Sequence, residues 1–264
     1  MGKNKLRKFA EMEQLPMVFQ YPYGALKEGG FPLRGRWHSD FFGNDNPIVV
    51  ELGCGKGEYT VGLARQFPDR NFIGIDIKGA RMHTGATDAY RSGLRNVAFV
   101  RTSVELLENF FSAGEVSGLW VTFPDPQMKK ENKRLTGSRM VEMYRRVLAP
   151  GGTVSLKTDS PFLYAYTRLM ATHNGCRIVA DDADIDASGA RAASPVLSIL
   201  THYERQWMQR GLPIKLIEFD PATDAPLAEP PGADDIPRDT YRSYSRGTLE
   251  GMPGLQPAER QTTD

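Results

Sequence analysis

Glycines and carboxylates follow two apolar runs at a spacing suited to binding a nucleoside. Residues 48–52 read Ile-Val-Val-Glu-Leu, and glycines follow at Gly53, Gly55 and Gly57. Glycine lets the backbone turn sharply and approach a ligand closely, because no Cβ intervenes. A second apolar run ends in Asp76, 19 residues after Gly57. A carboxylate at this distance from a glycine loop can accept hydrogen bonds from a ribose diol.

Two glutamates beside the glycine loop indicate the type of ligand. A dinucleotide-binding loop reads G-x-G-x-x-G, which would place a third glycine where this chain has Glu58. Glu51, just before the loop, would repel a pyrophosphate and suits a cationic ligand. An acidic strand end followed by G-x-G-x-G resembles motif I of the S-adenosylmethionine-dependent methyltransferases, which implies S-adenosyl-L-methionine as cofactor. A tight strand-to-helix turn that binds no ligand is the alternative.

A further carboxylate, Asp125, lies between two prolines after the apolar run 118–123. In an open α/β sheet, ligands bind beyond the carboxyl ends of the strands at the topological switch point. We therefore expect Asp125 to face the methyl group of the cofactor. Pro124 and Pro126 restrict the backbone and so would hold the carboxylate in place. A surface aspartate in a proline turn is the alternative.

Two further strand ends supply candidate residues. Thr102 and Ser103 follow the apolar run 97–100, where either hydroxyl could bond the adenine base or cap the next helix. Asp159 follows the run 153–157, and Ser160-Pro161 after it has the pattern of a helix start. Asp159 could bind substrate or support that helix through its dipole.

These elements predict an α/β fold: a Rossmann-like, doubly wound, mostly parallel seven-stranded sheet with a last antiparallel strand. The predicted strands are 48–52, 71–76, 97–100, 118–123, 153–157, 177–180 and 216–219. The last is predicted to be antiparallel because the preceding loop, 211–213, is too short to contain a crossover helix.

The chain divides into three parts by composition. Residues 1–46 are predicted to form a basic and aromatic arm, and residues 47–219 the methyltransferase domain. Residues 220–264, rich in Pro, Ala, Asp and Gly, are predicted to be a disordered tail with one candidate contact segment at 241–246. In the arm, the aromatic residues are expected to pack on the sheet, whereas the basic residues between 3 and 8 could either contact RNA or be solvated surface.

Composition and charge exclude several classes of protein. The formal net charge is +1, but residues 129–146 contain seven basic residues against two acidic ones. The two cysteines form neither a disulfide framework nor a metal-binding cluster, and they suit a reducing cytoplasm. There is no apolar run of 18 residues and no apolar signal core, so we expect a soluble cytoplasmic protein without a metal. For the oligomeric state, both a monomer and a homodimer fit the sequence.

Four motifs in order resemble the tRNA (guanine-N7-)-methyltransferase family. They are E-L-G-C-G-K-G-E (51–58), G-I-D (74–76), F-P-D-P-x-x-K-K-x-x-K-R (123–134) and T-x-Y-E (201–204). The resemblance covers roughly residues 48–219, and the third motif paired with the fourth is specific to this family. It implies that Glu51, Asp76 and Thr102 hold S-adenosyl-L-methionine and that Asp125 is the catalytic carboxylate.

The same resemblance implies a tRNA substrate, methylated at guanosine 46 of the variable loop. Lys129, Asp159 and the segment from Thr201 to Glu204 would contact the RNA. Two departures stand out: members usually carry Asp or Asn where this chain has Thr102, and the best-known members have Trp-Pro at Gln127-Met128.

The chemistry of the target atom fits these residues. Guanine N7 has a free lone pair, so the enzyme must supply alignment and a negative group near the purine as it becomes cationic, rather than a general base. The basic run offers contacts for RNA phosphates. A methyltransferase acting on another RNA, a protein or a small molecule, and a non-catalytic RNA-binding domain, are the alternatives.

Overall fold

A central eight-stranded sheet organises the computed structural model, which describes residues 3–21 and 23–241. The strands are β1 (Val18–Gln20), β2 (Ile48–Leu52), β3 (Asn71–Ile75), β4 (Val97–Arg101), β5 (Val116–Thr122), β6 (Leu148–Thr158), β7 (Arg177–Asp182) and β8 (Lys215–Asp220). Their spatial order is β1-β4-β3-β2-β5-β6-β8-β7. Neighbouring strands from β1 to β6 are parallel, whereas β8 runs antiparallel to both β6 and β7. The predicted α/β class, the mostly parallel sheet and the antiparallel last strand are confirmed.

Helices connect the strands on both faces of the sheet. They are α1 (Lys3–Glu13), α2 (Tyr23–Gly29), α3 (Glu58–Gln66), α4 (Gly79–Arg91), α5 (Ser138–Val147), α6 (Pro161–His173), α7 (Ala190–Ala193), α8 (Pro195–Ser198) and α9 (His202–Met208). A π-helical turn spans Trp37–Phe42, and 3-10 segments span Val104–Asn109, Glu131–Lys133 and Ala233–Asp235. Within the described residues, no helix is both long enough and apolar enough to cross a membrane.

Two apolar layers enclose the sheet. Val50 and Leu52 of β2 pack into the layer formed with α5 and α6, and Val49 packs into the opposite layer formed with α3 and α4. Successive strand residues point to opposite faces, so a strand with both faces covered must be apolar throughout. This requirement explains the continuous apolar run that precedes the glycine loop.

The N-terminal segment, predicted as an arm that packs its aromatic residues on the sheet, also contributes a strand to the sheet. Its strand β1 pairs in parallel with β4, and so adds the eighth strand to a sheet for which seven were predicted. A Cβ on Gly79 at the start of α4 would lie 2.8 Å from Phe9 of α1, so the two helices pack closely. Phe31 and Trp37 are buried in the core, as expected for the aromatic residues. A strand of three residues is too short to show a periodic pattern.

Residues 221–241, the C-terminal segment, also differ from the prediction, because they pack against the domain rather than forming a disordered tail. The carboxylate of Glu229 accepts hydrogen bonds from the Ser138 hydroxyl at 2.7 Å and the Tyr166 hydroxyl at 2.6 Å. Such contacts come from isolated side chains, which leave no periodic pattern in the sequence. Residues 242–264, with most of the predicted contact segment 241–246, lie outside the described residues.

Candidate active site

A cavity of about 680 Å³ opens at the carboxyl ends of β2 and β5. These strands are neighbours in the sheet, and the chain continues from them toward opposite edges, which defines the topological switch point. Six predicted site residues line the cavity: Glu51, Gly53, Gly55, Asp76, Asp125 and Thr201. Its volume is in the range of small-molecule and cofactor sites.

The glycine loop turns as its sequence predicted. Gly53, Gly55 and Gly57 have φ of 76°, 55° and 73°, in the left-handed region that side-chain-bearing residues rarely adopt. A Cβ on Gly57 would lie 2.8 Å from the ring of Phe99, so this position also allows close packing against β4. The Gly53 N–H donates to the carbonyl of Ile75 at 2.8 Å, which ties the loop to the end of β3.

Glu51 is buried at the floor of the cavity. Its carboxylate accepts hydrogen bonds from the Thr60 N–H at 2.9 Å and the Thr122 hydroxyl at 2.6 Å, and also from the Thr60 hydroxyl. Burial raises the pKa of Glu51 to about 7 despite these hydrogen bonds. The group therefore titrates near neutrality, and a cation in the cavity would favour its charged form.

Asp76 connects the end of β3 to the glycine loop. One carboxylate oxygen accepts from the Gly55 N–H at 2.9 Å, and the other accepts from the Lys78 N–H at 2.6 Å. Each oxygen has a further lone pair, and the residue lines the cavity. Asp76 can therefore hold the loop and still accept hydrogen bonds from a ligand.

Asp125 lies on a strained loop at the wall of the cavity. Phe123 and Gln127, on either side of the P-D-P sequence, have φ of 47° and 49°. Non-glycine residues in this region each cost on the order of 1 kcal/mol or more, and such strain is concentrated at functional sites. Asp125 is exposed, and its carboxylate accepts from the Gln127 N–H at 3.2 Å. The loop thus presents a charged oxygen to the cavity in a fixed place.

Arg134 supports this loop and does not line the cavity. It is buried, and its guanidinium group donates to the carbonyls of Gln127 at 3.3 Å and Met128 at 3.1 Å. The same group lies 4.3 Å from the ring centre of Tyr166. The Met128 sulfur in turn accepts from the Asp239 N–H of the C-terminal segment at 3.1 Å. Arg134 therefore braces the loop, although the sequence assigned it to an RNA-binding run.

The other four basic residues between positions 129 and 139 divide into two groups. Lys133 lines the cavity and forms an ion pair with Glu105 at 2.8 Å. Lys129, Lys130 and Arg139 are exposed, and no ion pair involves any of them among the residues that the structure describes. These three cations are available for phosphate contacts.

Helix α9 and the residue that caps it, Thr201, form another wall of the cavity. They contribute Thr201, Tyr203 and Trp207 to the cavity. Glu58 joins this wall to the glycine loop, because its carboxylate accepts from the His202 N–H at 2.7 Å and lies 3.3 Å from the Arg205 guanidinium group. The glutamate that departs from the dinucleotide pattern thus fixes the start of α9 beside the glycine loop.

The cavity also includes residues that the sequence analysis did not assign. Among them are the basic residues Lys56, Lys78 and Arg81 and the aromatic residues Phe123 and Trp207. Lys56 and Lys78 adjoin assigned residues in the sequence, which could have indicated them. Trp207 carried no such signal, because its place in the cavity depends on how α9 docks.

Four predicted site residues do not line the cavity: Thr102, Lys129, Asp159 and Glu204. Asp159 is buried and accepts from the Tyr241 hydroxyl at 2.6 Å. Glu204 is fully buried in ion pairs within the protein. The structure therefore gives both carboxylates intramolecular partners, unlike the substrate contacts that the resemblance implied for them.

The polar groups around the cavity fit a nucleoside cofactor that carries a positive charge. Glu51 offers a carboxylate to a cation, and Asp76 offers an acceptor to hydroxyl groups. The buried hydroxyl of Thr102, next to the end of β4, does not line the cavity but has no hydrogen-bond partner among the described residues. Within the same residues, no cluster of three His, Cys, Asp or Glu side chains could hold a metal ion.

Solved structures show that the fold is that of class I methyltransferases. The 16S rRNA methyltransferase KamB superimposes with a TM-score of 0.52 at 14% identity, over 75% of this chain and 93% of its own. An antibiotic-related methyltransferase superimposes with a TM-score of 0.51 at 15% identity, over 69% of this chain and 90% of its own. At these identities the likeness concerns the fold alone.

Sequence comparison identifies the family. A family model described as "Putative methyltransferase" matches residues 45–217. A tRNA (guanine-N(7)-)-methyltransferase of Bacteroides thetaiotaomicron is 52% identical, over 96% of this chain and 98% of its own. One of Porphyromonas gingivalis is 55% identical, over 89% of this chain and 96% of its own. The chain belongs to the tRNA (guanine-N7-)-methyltransferase family.

Proposed function

We propose that this protein transfers a methyl group from S-adenosyl-L-methionine to N7 of guanosine 46 in the variable loop of tRNA. The observation that carries the proposal is Asp125, held by a strained loop at the wall of a cofactor-sized cavity. Membership of the family supports the choice of tRNA and of N7. A tRNA substrate also fits a cytoplasmic location.

Methylation of guanine N7 requires a stabilising negative charge rather than a general base. When bound, S-adenosyl-L-methionine supplies an electrophilic methyl group on a positively charged sulfur. Guanine N7 carries a lone pair and no proton, so no side chain has to remove one. The purine becomes positively charged as it is methylated, and the Asp125 carboxylate would stabilise that charge from a preorganised position. The hydrogen bonds from Arg134 to the carbonyls of Gln127 and Met128 hold the loop, and with it the carboxylate, in place.

The cofactor would be held by residues from three strand ends. The Glu51 carboxylate would lie near a positive charge of the cofactor, and Gly53 and Gly55 would let the backbone approach it. Asp76 would accept hydrogen bonds from the ribose, and the Thr102 hydroxyl would complete its unmet hydrogen bond with the base.

Loss of the Asp76 side chain should weaken cofactor binding. We expect Asp76→Ala to lower the affinity for S-adenosyl-L-methionine about 10- to 100-fold, since a charge-assisted hydrogen bond contributes about 1.5–3 kcal/mol. The cofactor affinity of Asp76→Asn should lie between those of Asp76→Ala and the parent protein, because the amide oxygen still accepts from one backbone N–H. Titration calorimetry measures both, with the melting temperature as a folding control. Unchanged affinity in a folded Asp76→Ala protein would reject the assignment.

The RNA would dock on the face beside the loop that carries Asp125. Lys129 and Lys130 directly follow that loop and are exposed, and Arg139 lies at the start of α5. Thr201 lies at the cavity wall, near where the target nucleotide would enter. Glu204 would act on the substrate through α9, whose start it caps, and Asp159 through the C-terminal segment, which it binds at Tyr241.

The basic side chains should determine the salt dependence of tRNA binding. Each phosphate contact that is lost should flatten the slope of log affinity against log salt by about 0.7–0.9. We expect this change in Lys129→Ala and again in Lys130→Ala, with cofactor affinity intact. Lys27→Ala is the matched control, because Lys27 is exposed on α2 and does not line the cavity. Parental slopes in both test variants would show that the run is only solvated surface.

The direct test of the function is methyl transfer to unmodified tRNA. Labelled cofactor, this protein and an unmodified transcript should yield 7-methylguanosine, which nuclease mapping should place at position 46. A transcript with adenosine at that position should take up no label. Label on another atom or another nucleotide would contradict the proposal, and label on protein alone would indicate a different substrate class.

A further inference from the structure

A buried ionic cluster lies behind helix α9, outside the cavity. Lys157 near the end of β6 places its Nζ 2.8 Å from Oε1 of Glu204, and both side chains are 0% exposed. Nη1 of Arg191 lies 2.7 Å from the same oxygen. None of the three residues lines the cavity.

The cluster links α9 to the sheet. Nζ of Lys157 donates to the carbonyls of Leu197 at 3.0 Å and Ile199 at 3.2 Å, in the segment that leads into α9. The second oxygen of Glu204 accepts from the Thr201 N–H at 3.4 Å, and the Thr201 hydroxyl accepts from the Glu204 N–H at 3.1 Å. T-x-Y-E is therefore a capping box at the start of α9.

Charges without access to water are tolerated only when they are paired. Burial lowers the pKa of Lys157 to about 8, although the Glu204 carboxylate favours its charged form. Arg191 has a second carboxylate partner, Asp186, at 2.5 Å. Removing Glu204 leaves Lys157 with an uncompensated charge in a dry site, and removing Lys157 leaves Glu204 and Asp186 to share Arg191 alone. Either imbalance favours displacement of α9.

We propose that Lys157, Glu204 and Arg191 form an ionic anchor that positions Thr201 and Tyr203 against the target nucleotide. Glu204 then acts on the substrate through α9 and not by contact with RNA. This inference rests on the proposed function for its kinetic readout. Lys157 is fully buried and cannot touch RNA, so any effect of its substitution on tRNA kinetics must pass through the protein.

A double-mutant cycle tests the anchor. We expect Lys157→Met and Glu204→Gln each to lower kcat/KM for tRNA about 10- to 100-fold, mainly through KM, because each breaks a buried pair. Cofactor affinity should stay within about threefold, since the glycine loop and Asp76 are untouched. The double variant, which contains neither charge of the pair, should be about tenfold more active than the product of the single effects predicts.

Hydrogen exchange of residues 202–208 gives a readout that needs no activity. Protection should fall in each single variant and return in the double variant. If the parent methylates no tRNA, the proposed function fails, while exchange still tests the anchor. The anchor would be overturned if Lys157→Met had parental tRNA kinetics, or if the double variant were no more active than Glu204→Gln. Either result would favour direct RNA contact by Glu204.

Arg191→Gln provides a second test of the anchor in case Lys157→Met does not fold. Arg191 is partly exposed at the edge of the cluster, and its loss leaves the central pair intact. We expect the same changes in exchange and in tRNA KM, about three- to tenfold in size. Unchanged exchange and KM in Arg191→Gln would also overturn the proposal.

Discussion

Asp125→Asn should lower the turnover of tRNA methylation about 100- to 1000-fold, the usual effect of deleting one preorganised electrostatic group. Asparagine has the same shape and can still accept from the Gln127 N–H, so the loop should stay in place. Because Asp125 is exposed and packs into no apolar layer, the melting temperature should not change. Cofactor affinity should be close to that of the parent.

Single-turnover methylation at saturating cofactor, from pH 6 to 9, measures this effect. Asp69→Asn, an exposed change outside the cavity, is the matched control. The parental rate should show no group that must lose a proton near neutrality, because N7 needs no base. A near-parental rate in Asp125→Asn would remove this residue from the mechanism. Because Glu51 titrates near pH 7, only a steep rise in rate around pH 7 that persists in Glu51→Gln at saturating cofactor would point to base catalysis and to another acceptor atom.

Glu51→Gln should stabilise the cofactor-free protein above pH 7. Burial raises the pKa of Glu51 from 4.5 to about 7, so the folded protein binds this proton more tightly than the unfolded chain does. The resulting stability is fully present below pH 4.5 and is lost as pH rises through about 7. Glutamine does not titrate, so above pH 7 the variant should be more stable by up to about 3 kcal/mol.

Urea unfolding of both proteins between pH 5 and 8.5 measures this difference. The difference in unfolding free energy should be small at pH 5 and grow through pH 7, while Glu13→Gln, at an exposed site, should show no such trend. Glu51→Gln should be the more stable protein but the weaker cofactor binder. The cofactor affinity of the parent should rise with pH through about 7, whereas that of Glu51→Gln should be lower and independent of pH. A pH-independent difference in stability would show that Glu51 has an ordinary pKa.

The sequence predicted the parts of the site that depend on local constraints. A glycine loop after an apolar strand requires positive φ, and Gly53, Gly55 and Gly57 have it. The chain leaves β2 and β5 toward opposite edges of the sheet, and this topology fixes where the cavity opens. The positions of Asp76 and Asp125 at the cavity could therefore be predicted without knowing how side chains pack. These inferences need only strand direction and steric rules.

Other features depend on tertiary contacts that no local pattern encodes. Arg134 reads as one more cation in a basic run, but its guanidinium group is buried against Tyr166. Glu204 belongs to a motif that the resemblance assigned to substrate, yet T-x-x-E is also the spacing of a capping box, and the partner Lys157 is 47 positions away in the sequence. The first strand was missed because three residues are too few for a pattern.

The C-terminal segment has a consequence for the order of events during synthesis. Asp239 bonds Met128, 111 positions earlier, and Tyr241 bonds Asp159, 82 positions earlier. Every strand of the sheet has left the ribosome before these partners do, and domains fold largely as they emerge. A nascent chain can therefore complete its sheet while the loop of Asp125 still lacks its last brace.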